Sequence, residues 1–452
     1  MSLFPILFSL AISTGLASAA PQGNGLLSGV GDVVGGVVDG VGDLVGGELS
    51  SLSKNLEIAT ATLAGPSAIA EASRRVSSVV QAQATAGTYV QVAADLVESG
   101  LTLENGADAL DFVTDILEGE NSSRNVNLRN PQPAAFPKAG SNDAPYSVSE
   151  AKLRAAIYIP SGFQYGRQGA PQPIILVPGT GNTGFVTFSG SYIPLLQGSK
   201  IADPVWLNIP GYLYNDAQTN AEYVAYAINY IHGISMQKNV AVLSWSQGGI
   251  DAQWAFKYWP STRARVTDLI AFSPDFHGSV IADLVDLGEP LPPSILQQQY
   301  NSDFITALRA RGGDSAYVPT TSIYSGLFDE IVEPQQGTNA SAFILDARNK
   351  GVSNNEVQTV CPPGSPGGSF YTHEGTLYNP LGFALAVDAL KNPGPGRASR
   401  LDLSSVCSTY LTPGLDLADF LLTENAILVA GAALVAYPNK VLKEPAIRCK
   451  RF

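Results

Sequence analysis

The chain has 452 residues, 14% of them charged and 45% hydrophobic, the balance of one large catalytic domain with an appendage. Its formal charge of −13 excludes nucleic acid and anionic membrane surfaces as favoured partners, because both repel it, and leaves a neutral ester unaffected. Only three histidines and three cysteines occur, with no CxxC or HExxH spacing, so neither a metal site nor a cofactor is expected.

Leu3 to Leu16 are almost wholly apolar, and Ala17-Ser18-Ala19 follows with a small-x-small pattern. Residues 1–19 therefore read as a secretory signal, too short for a membrane span, and the mature chain as extracellular. There Cys361, Cys407 and Cys449 allow one disulfide and leave one thiol over. Gly23 to Gly47 is a low-complexity tract in which Gly29-Val30-Gly31-Asp32 is echoed at Gly40-Val41-Gly42-Asp43. It lacks GxGxxG spacing, a following lysine and a βαβ frame, so it reads as a flexible tract rather than a phosphate loop. Leu49 to Leu117, punctuated by Gly65-Pro66, Gly87, Gly100 and Gly106, reads as several short helices. Residues 20–130 are thus expected to be an N-terminal extension or propeptide. A linker from about Asn121 to Pro145 carries Pro131, Pro133 and Pro137. Asn121-Ser122-Ser123 and Asn339-Ala340-Ser341 are N-glycosylation sequons.

From about residue 145 to 452 the rhythm is strand, loop, helix. Ile174 to Val177 is a buried apolar strand ending at Pro178-Gly179. Asp216 sits where an N-cap belongs, before the apolar-faced helix Ala221 to Ile231. Val240 to Leu243 is a second buried strand, Gln247 to Tyr258 a helix stopped by Pro260, and Val266 to Phe272 and Thr321 to Tyr324 are further strands. Such alternation predicts an α/β fold, a parallel sheet flanked by helices, with its site at the carboxyl ends of the strands.

The strand ending at Leu243 runs through Ser244-Trp245-Ser246-Gln247-Gly248-Gly249 directly into a helix. That is the grammar of a nucleophile elbow, a tight turn that lifts the Ser246 hydroxyl above the sheet, with Ser244 where the strict motif has glycine. The base is sought among His232, His277 and His373. In α/β-hydrolases the order is serine, acid, histidine, and His373 alone leaves room for a strand-borne acid in between. Asp329 and Glu330 both follow the strand Thr321 to Tyr324, and the residues alone do not choose between them. An oxyanion needs N–H donors: Gln247, next after the nucleophile, supplies one, and the loop Val177 to Gly184 the other, with the Thr180 hydroxyl as an addition.

These stretches together resemble the fungal lipase B family of α/β-hydrolases. The likeness is carried by Leu176-Val177-Pro178-Gly179-Thr180-Gly181, Ser244 to Gly249, Ala252-Gln253-Trp254, Pro274-Asp275, and Asp329-Glu330-Ile331-Val332 followed by Pro334-Gln335. It implies a triacylglycerol lipase or esterase that acts through an acyl-enzyme, with Ser246, Asp329 and His373 as triad and Thr180 with Gln247 as oxyanion hole. It further implies Trp245 under the alcohol side of the pocket, Asp275 and Gln298 near the acyl side, a Cys361–Cys407 disulfide, and a lipid or ester substrate. Leu415 to Tyr437 reads either as a core helix or, since it falls where the family has a mobile apolar helix at the site mouth, as an element suited to an oil–water interface. By length its apolar run, Ala426 to Tyr437, is too short to cross a bilayer. The extension is longer than the family's, the cysteines fewer, and the end after Cys449 shorter.

Overall fold

The computed structural model describes residues 65–83, 95–102, 106–114, 117–280, 290–326, 329–362 and 364–448. The expected signal segment, the glycine-rich tract and Cys449 lie outside the described residues. Among the described residues, the helices α1 (Ile69–Gln83) and α2 (Gly106–Thr114) lie ahead of the sheet in the chain. One sheet follows, built from β1 (Ile157–Tyr158), β2 (Gln172–Val177), β3 (Ala202–Leu207), β4 (Val240–Trp245), β5 (Val266–Phe272), β6 (Thr320–Tyr324) and β7 (Val352–Glu356). Its order is β1-β3-β2-β4-β5-β6-β7, parallel throughout except for β1. The helices that frame the site are α3 (Gly184–Phe188), α4 (Ala217–Ile234), α5 (Gln247–Tyr258), α6 (Pro293–Gln297), α7 (Pro380–Lys391) and α8 (Leu417–Ala436).

The central strands are apolar on both faces because both faces are covered. Ile174, Leu176, Ala241, Leu243, Ile270 and Phe272 enter one core layer, together with Leu381 of α7 and Leu428 of α8. Their alternating neighbours Ile175, Val177, Val240, Val242, Leu269 and Ala271 enter the other, with Val224 of α4 and Trp254 of α5. This is the three-layer α/β-hydrolase architecture expected from the strand–helix rhythm. Asp216 caps α4 as its position predicts, its side chain accepting from the Gln218 N–H.

Three strands escaped the sequence pattern, and β1 is only two residues long. β3 carries Pro204, which has no N–H to donate, yet β1 pairs only with Trp206 and Leu207, so no ladder partner on that side is denied one. β7 reads Val-Ser-Asn-Asn-Glu and sits at the sheet edge, where polar side chains are tolerated.

The stretch expected to be a linker is a packed strap. The carbonyl of Glu120 accepts from Trp206 Nε1 at 2.8 Å and Asn208 Nδ2 at 2.9 Å. The Asn125 N–H donates to Ala155, the Tyr230 hydroxyl to the carbonyl of Arg129, and the Ala144 N–H to Tyr258. The backbone polar groups of this segment thus find partners among the strands and helices that follow it.

Helix α8 is 20 residues long and by length and composition could cross a membrane, longer than the sequence reading allowed. A capping box between Asp416 and Asp419 starts it at Leu417, so Asp419 belongs to the cap. Most of the helix is buried in protein, which makes it a core element. Ala72, Val76 and Val79 of α1 and Ala109 and Val113 of α2 share its core layer, and α2 packs on α8.

Cys361 and Cys407 form a disulfide with Cα atoms 5.5 Å apart and a sequence separation of 46, enclosing His373. In the chain-entropy account a loop of that length contributes roughly 4 kcal/mol. Cys407→Ser should therefore lower the Tm by several degrees, read by calorimetry. An unchanged Tm would show that the cross-link adds nothing to the fold.

Candidate active site

Ser246 closes β4 and opens α5 with φ 53° and ψ −130°, a conformation that a side chain adopts only when its surroundings impose it. Its N–H donates to the Phe272 carbonyl at 2.9 Å, and its own carbonyl accepts from the Gly249 N–H at 2.8 Å. The turn is possible because Gly248 and Gly249, just beyond it, lack side chains. A Cβ on Gly248 would stand 2.6 Å from the Pro178 carbonyl oxygen, and one on Gly249 the same distance from the Pro274 Cβ. On the opposing loop, a Cβ on Gly179 would meet the Cβ of Ser246 at 2.7 Å. Ser244, in the glycine position of the strict motif, is buried in β4 between Val177 and Ala271, where a small side chain suffices.

His373 is held at three points. Its Nδ1 lies 2.9 and 3.0 Å from the two carboxyl oxygens of Asp329. Its backbone N–H donates to Glu330 Oε2 at 3.0 Å, and its carbonyl accepts from Trp245 Nε1 at 3.1 Å and Thr376 Oγ1 at 2.9 Å. The two neighbouring acids thus have separate tasks: Asp329 takes the ring and Glu330 the backbone. Asp329 is itself oriented by the N–H groups of Ile331 and Val332. Among the described residues Nε2 of His373 is buried without a hydrogen-bond partner, and the Trp245 ring lies 4.9 Å from the imidazole.

Burial disfavours the imidazolium of His373, but Asp329, Glu330 and Asp275 outweigh it and hold the pKa above the ordinary histidine value. Burial, then the charge of Asp329, pushes Glu330 up to about 7. Behind the histidine loop, Glu424 of α8 accepts from Thr372 Oγ1 at 3.0 Å and from the Tyr378 hydroxyl at 2.7 Å, tying α8 to the loop.

Thr180, Gln247 and Gln298 form one hydrogen-bonded set. The Thr180 hydroxyl lies 2.7 Å from Gln247 Oε1 and 3.0 Å from Gln298 Oε1, and Gln298 Nε2 lies 3.2 Å from Gln247 Oε1. The loop that carries Thr180 is tethered by the Gly181 N–H to the Tyr212 carbonyl at 2.7 Å and by Asn182 Nδ2 to Ala426 of α8 at 3.2 Å. Asp275 is buried, both its oxygens lack a partner among the described residues, and burial pushes its pKa up to about 7.

The other histidines stand apart from this set. His232 Nδ1 pairs with the Lys238 carbonyl, and His277, its pKa brought down to about 4 chiefly by burial, follows β5 with its N–H on Ser341. Asn339 is exposed, as a glycan acceptor must be. Asn121, in the other sequon, is buried at 7% exposure, and its Oδ1 accepts from the Thr183 hydroxyl. Sequence reasoning missed the parts of Glu330, Glu424 and Asn182, whose partners are distant in the chain or lie in the backbone.

No family model matches the chain. Over 275 residues it is 35% identical to Lipase B of Pseudozyma antarctica, an alignment covering 60% of this chain and 76% of that protein. The crystal structure of Aspergillus fumigatus lipase B superposes with a TM-score of 0.84 at 44% identity, over 93% of this chain and 99% of that one.

The Gly179–Ser246 contact yields a direct test. Gly179→Ala has to push the loop away from the elbow, an overpacking that costs roughly 1–3 kcal/mol. It should lower both Tm and kcat, whereas Gly162→Ala, with open space around its Cβ, should lower neither. Equal behaviour of the two variants in melting and rate assays would deny the contact its importance.

Proposed function

The chain belongs to the lipase B family and is a carboxylic ester hydrolase, and from that premise we propose that Ser246, His373 and Asp329 carry out the reaction through an acyl-enzyme. The observation that supports this most is the Asp329–His373 pair, whose Nδ1 contact leaves Nε2 buried and unpartnered among the described residues. With Nδ1 bearing the proton shared with Asp329, Nε2 is the basic nitrogen. It takes the proton of Ser246 as Oγ attacks the ester carbonyl, and Asp329 stabilises the imidazolium that forms. The proton then passes to the leaving alcohol, and a water activated by the same nitrogen releases the acid. Apo geometry is commonly loose at the serine–histidine contact and tightens with substrate.

The backbone N–H of Gln247 and the N–H and hydroxyl of Thr180 form the oxyanion hole. The Thr180 hydroxyl, paired with glutamine oxygens here, turns to the oxyanion as negative charge develops there. Trp245, which flanks His373, underlies the alcohol side, while Gln298 and Asp275 border the acyl side. The substrate is a lipid or other carboxylic ester. Residues 1–19 act as a secretory signal, the enzyme works outside the cell, Asn339 carries a glycan, and the extension ends before Gly119.

Three measurements test this. Ser246→Ala and His373→Ala should each cost roughly a million-fold in kcat on p-nitrophenyl esters, while His277→Ala should leave most of it. Survival of activity in His373→Ala would reassign the base. Thr180→Val should lower kcat by about a hundred-fold with little change in KM. His373 must be neutral to accept the proton and its pKa is raised, so kcat/KM should fall as pH drops through a value above 6.5. An acid limb below 6.5 contradicts the carboxyl-flanked histidine.

A further inference from the structure

The loop from Pro178 to Thr183 presses on the elbow at Gly179 and ends at the N-cap of α3. At that end the Thr183 hydroxyl accepts from the Val186 N–H at 3.2 Å, so its own hydrogen is free to donate, and it donates to Asn121 Oδ1. The turn Gly119–Asn121 that delivers Asn121 is pinned on both sides. Trp206 Nε1 and Asn208 Nδ2 hold the Glu120 carbonyl, and Asn208 Nδ2 also holds the carbonyl of Ser122 at 2.9 Å. Asn208 Oδ1 in turn accepts from the Phe185 N–H at 3.2 Å, closing the set on α3. The turn and the loop are therefore one hydrogen-bonded unit at the ends of β2 and β3.

We propose that Asn121 is a positioning residue of the oxyanion loop, and that its sequon stays free of glycan in the folded enzyme because docking and glycosylation exclude each other. The inference rests on the assignment of Thr180 to the oxyanion hole. Thr180 stands three residues from Thr183 on the same short loop, whose other tethers include the Gly181–Tyr212 and Asn182–Ala426 contacts and the Thr180 hydroxyl on Gln247 and Gln298. Oxyanion donors act only when held within about half an ångström of the required position. Loss of the Asn121 tether leaves Thr183 held only by its capping contacts with Val186 and Thr187 of α3, with nothing fixing it to the Gly119–Asn121 turn. The exclusion follows from burial: Nδ2, the atom a glycan would occupy, is enclosed and has no partner among the described residues. A sugar there requires the turn to leave Thr183.

The test combines kinetics with mass. Asn121→Ala and Thr183→Val should each lower kcat about tenfold with KM little changed, as for an interaction expressed in the transition state. Thr183→Val also removes the cap on Val186, so it should be the slower single, and the double variant should be no slower than it, because the Asn121 side chain acts on the loop only through the Thr183 hydroxyl. Thr183→Ser, which keeps the hydroxyl, should restore most of kcat. Ser123→Ala abolishes the sequon but keeps the amide, and should change neither kcat nor the glycan content, with peptide mapping of the active enzyme finding Asn121 unmodified. Multiplicative losses, a Thr183→Val enzyme with unchanged kcat, or a glycan on Asn121 in active enzyme would each overturn the proposal. If Asn121→Ala does not accumulate as folded protein, Asn121→Ser, which withdraws the accepting oxygen but leaves the Thr183 cap on Val186, takes its place, and an unchanged kcat there overturns the proposal. Should Thr180→Val also leave kcat unchanged, the oxyanion assignment fails. Should Thr180→Val slow the enzyme while Thr183→Val does not, only the role of Asn121 fails.

Discussion

Between Gly179 and Ser246 there is no room for a methyl group: a Cβ on the one would stand 2.7 Å from that of the other. Everything that surrounds the site accommodates this approach. Ser246 takes a backbone conformation that costs on the order of 1–3 kcal/mol, and it persists because β4 and α5 fix the chain on either side. Gly248 and Gly249 let α5 settle onto the Pro178 and Pro274 backbones without interposed side chains. The strain sits at the atom that has to protrude.

What the elbow faces is organised largely by one helix. Through Glu424, α8 reaches the loop that carries His373, and through the carbonyl of Ala426 it reaches Asn182 in the loop that carries Thr180. At Ala430 it accepts from the Tyr214 hydroxyl and lies against Gly181, where a Cβ would meet that of Ala430 at 2.4 Å. A buried carboxyl in an apolar helix is costly unless hydrogen-bonded, and burial pushes Glu424 up to about 7 while two hydroxyls serve one of its oxygens. The polar atoms of α8 are thus the places where a core element grips the two loops beside the serine.

The strand–elbow–helix passage was legible because its apolar runs are long and its turn is rich in small residues, both local signals. β3 was not, because Pro204 argues against a strand unless one knows that β1 is too short to pair there. Asp329 and Glu330 could not be told apart from the sequence, since neighbours share a context. Only tertiary placement shows one facing the imidazole ring and the other the backbone N–H. Asn121 carries the pattern of a surface acceptor, yet it is buried by a turn whose partners, Trp206 and Asn208, lie far along the chain. The strap around it looked like a linker for a related reason: proline and asparagine mark irregular backbone, and irregular backbone is not the same as unpacked backbone.

The packing of α2 on α8 joins the first described helices to the last. That contact has a consequence in time. A ribosome adding roughly 5–20 residues per second makes α1 and α2 on the order of tens of seconds before α8 exists to cover them. During that interval Val76, Ala109 and Val113 have no permanent apolar partner on α8, and the core layer they share with it stays open. The cost of closing so long a loop grows only slowly with its length, so the finished contact loses little by its span. It is the nascent chain that bears the delay, with a greasy surface displayed from the outset and sealed by the final helix.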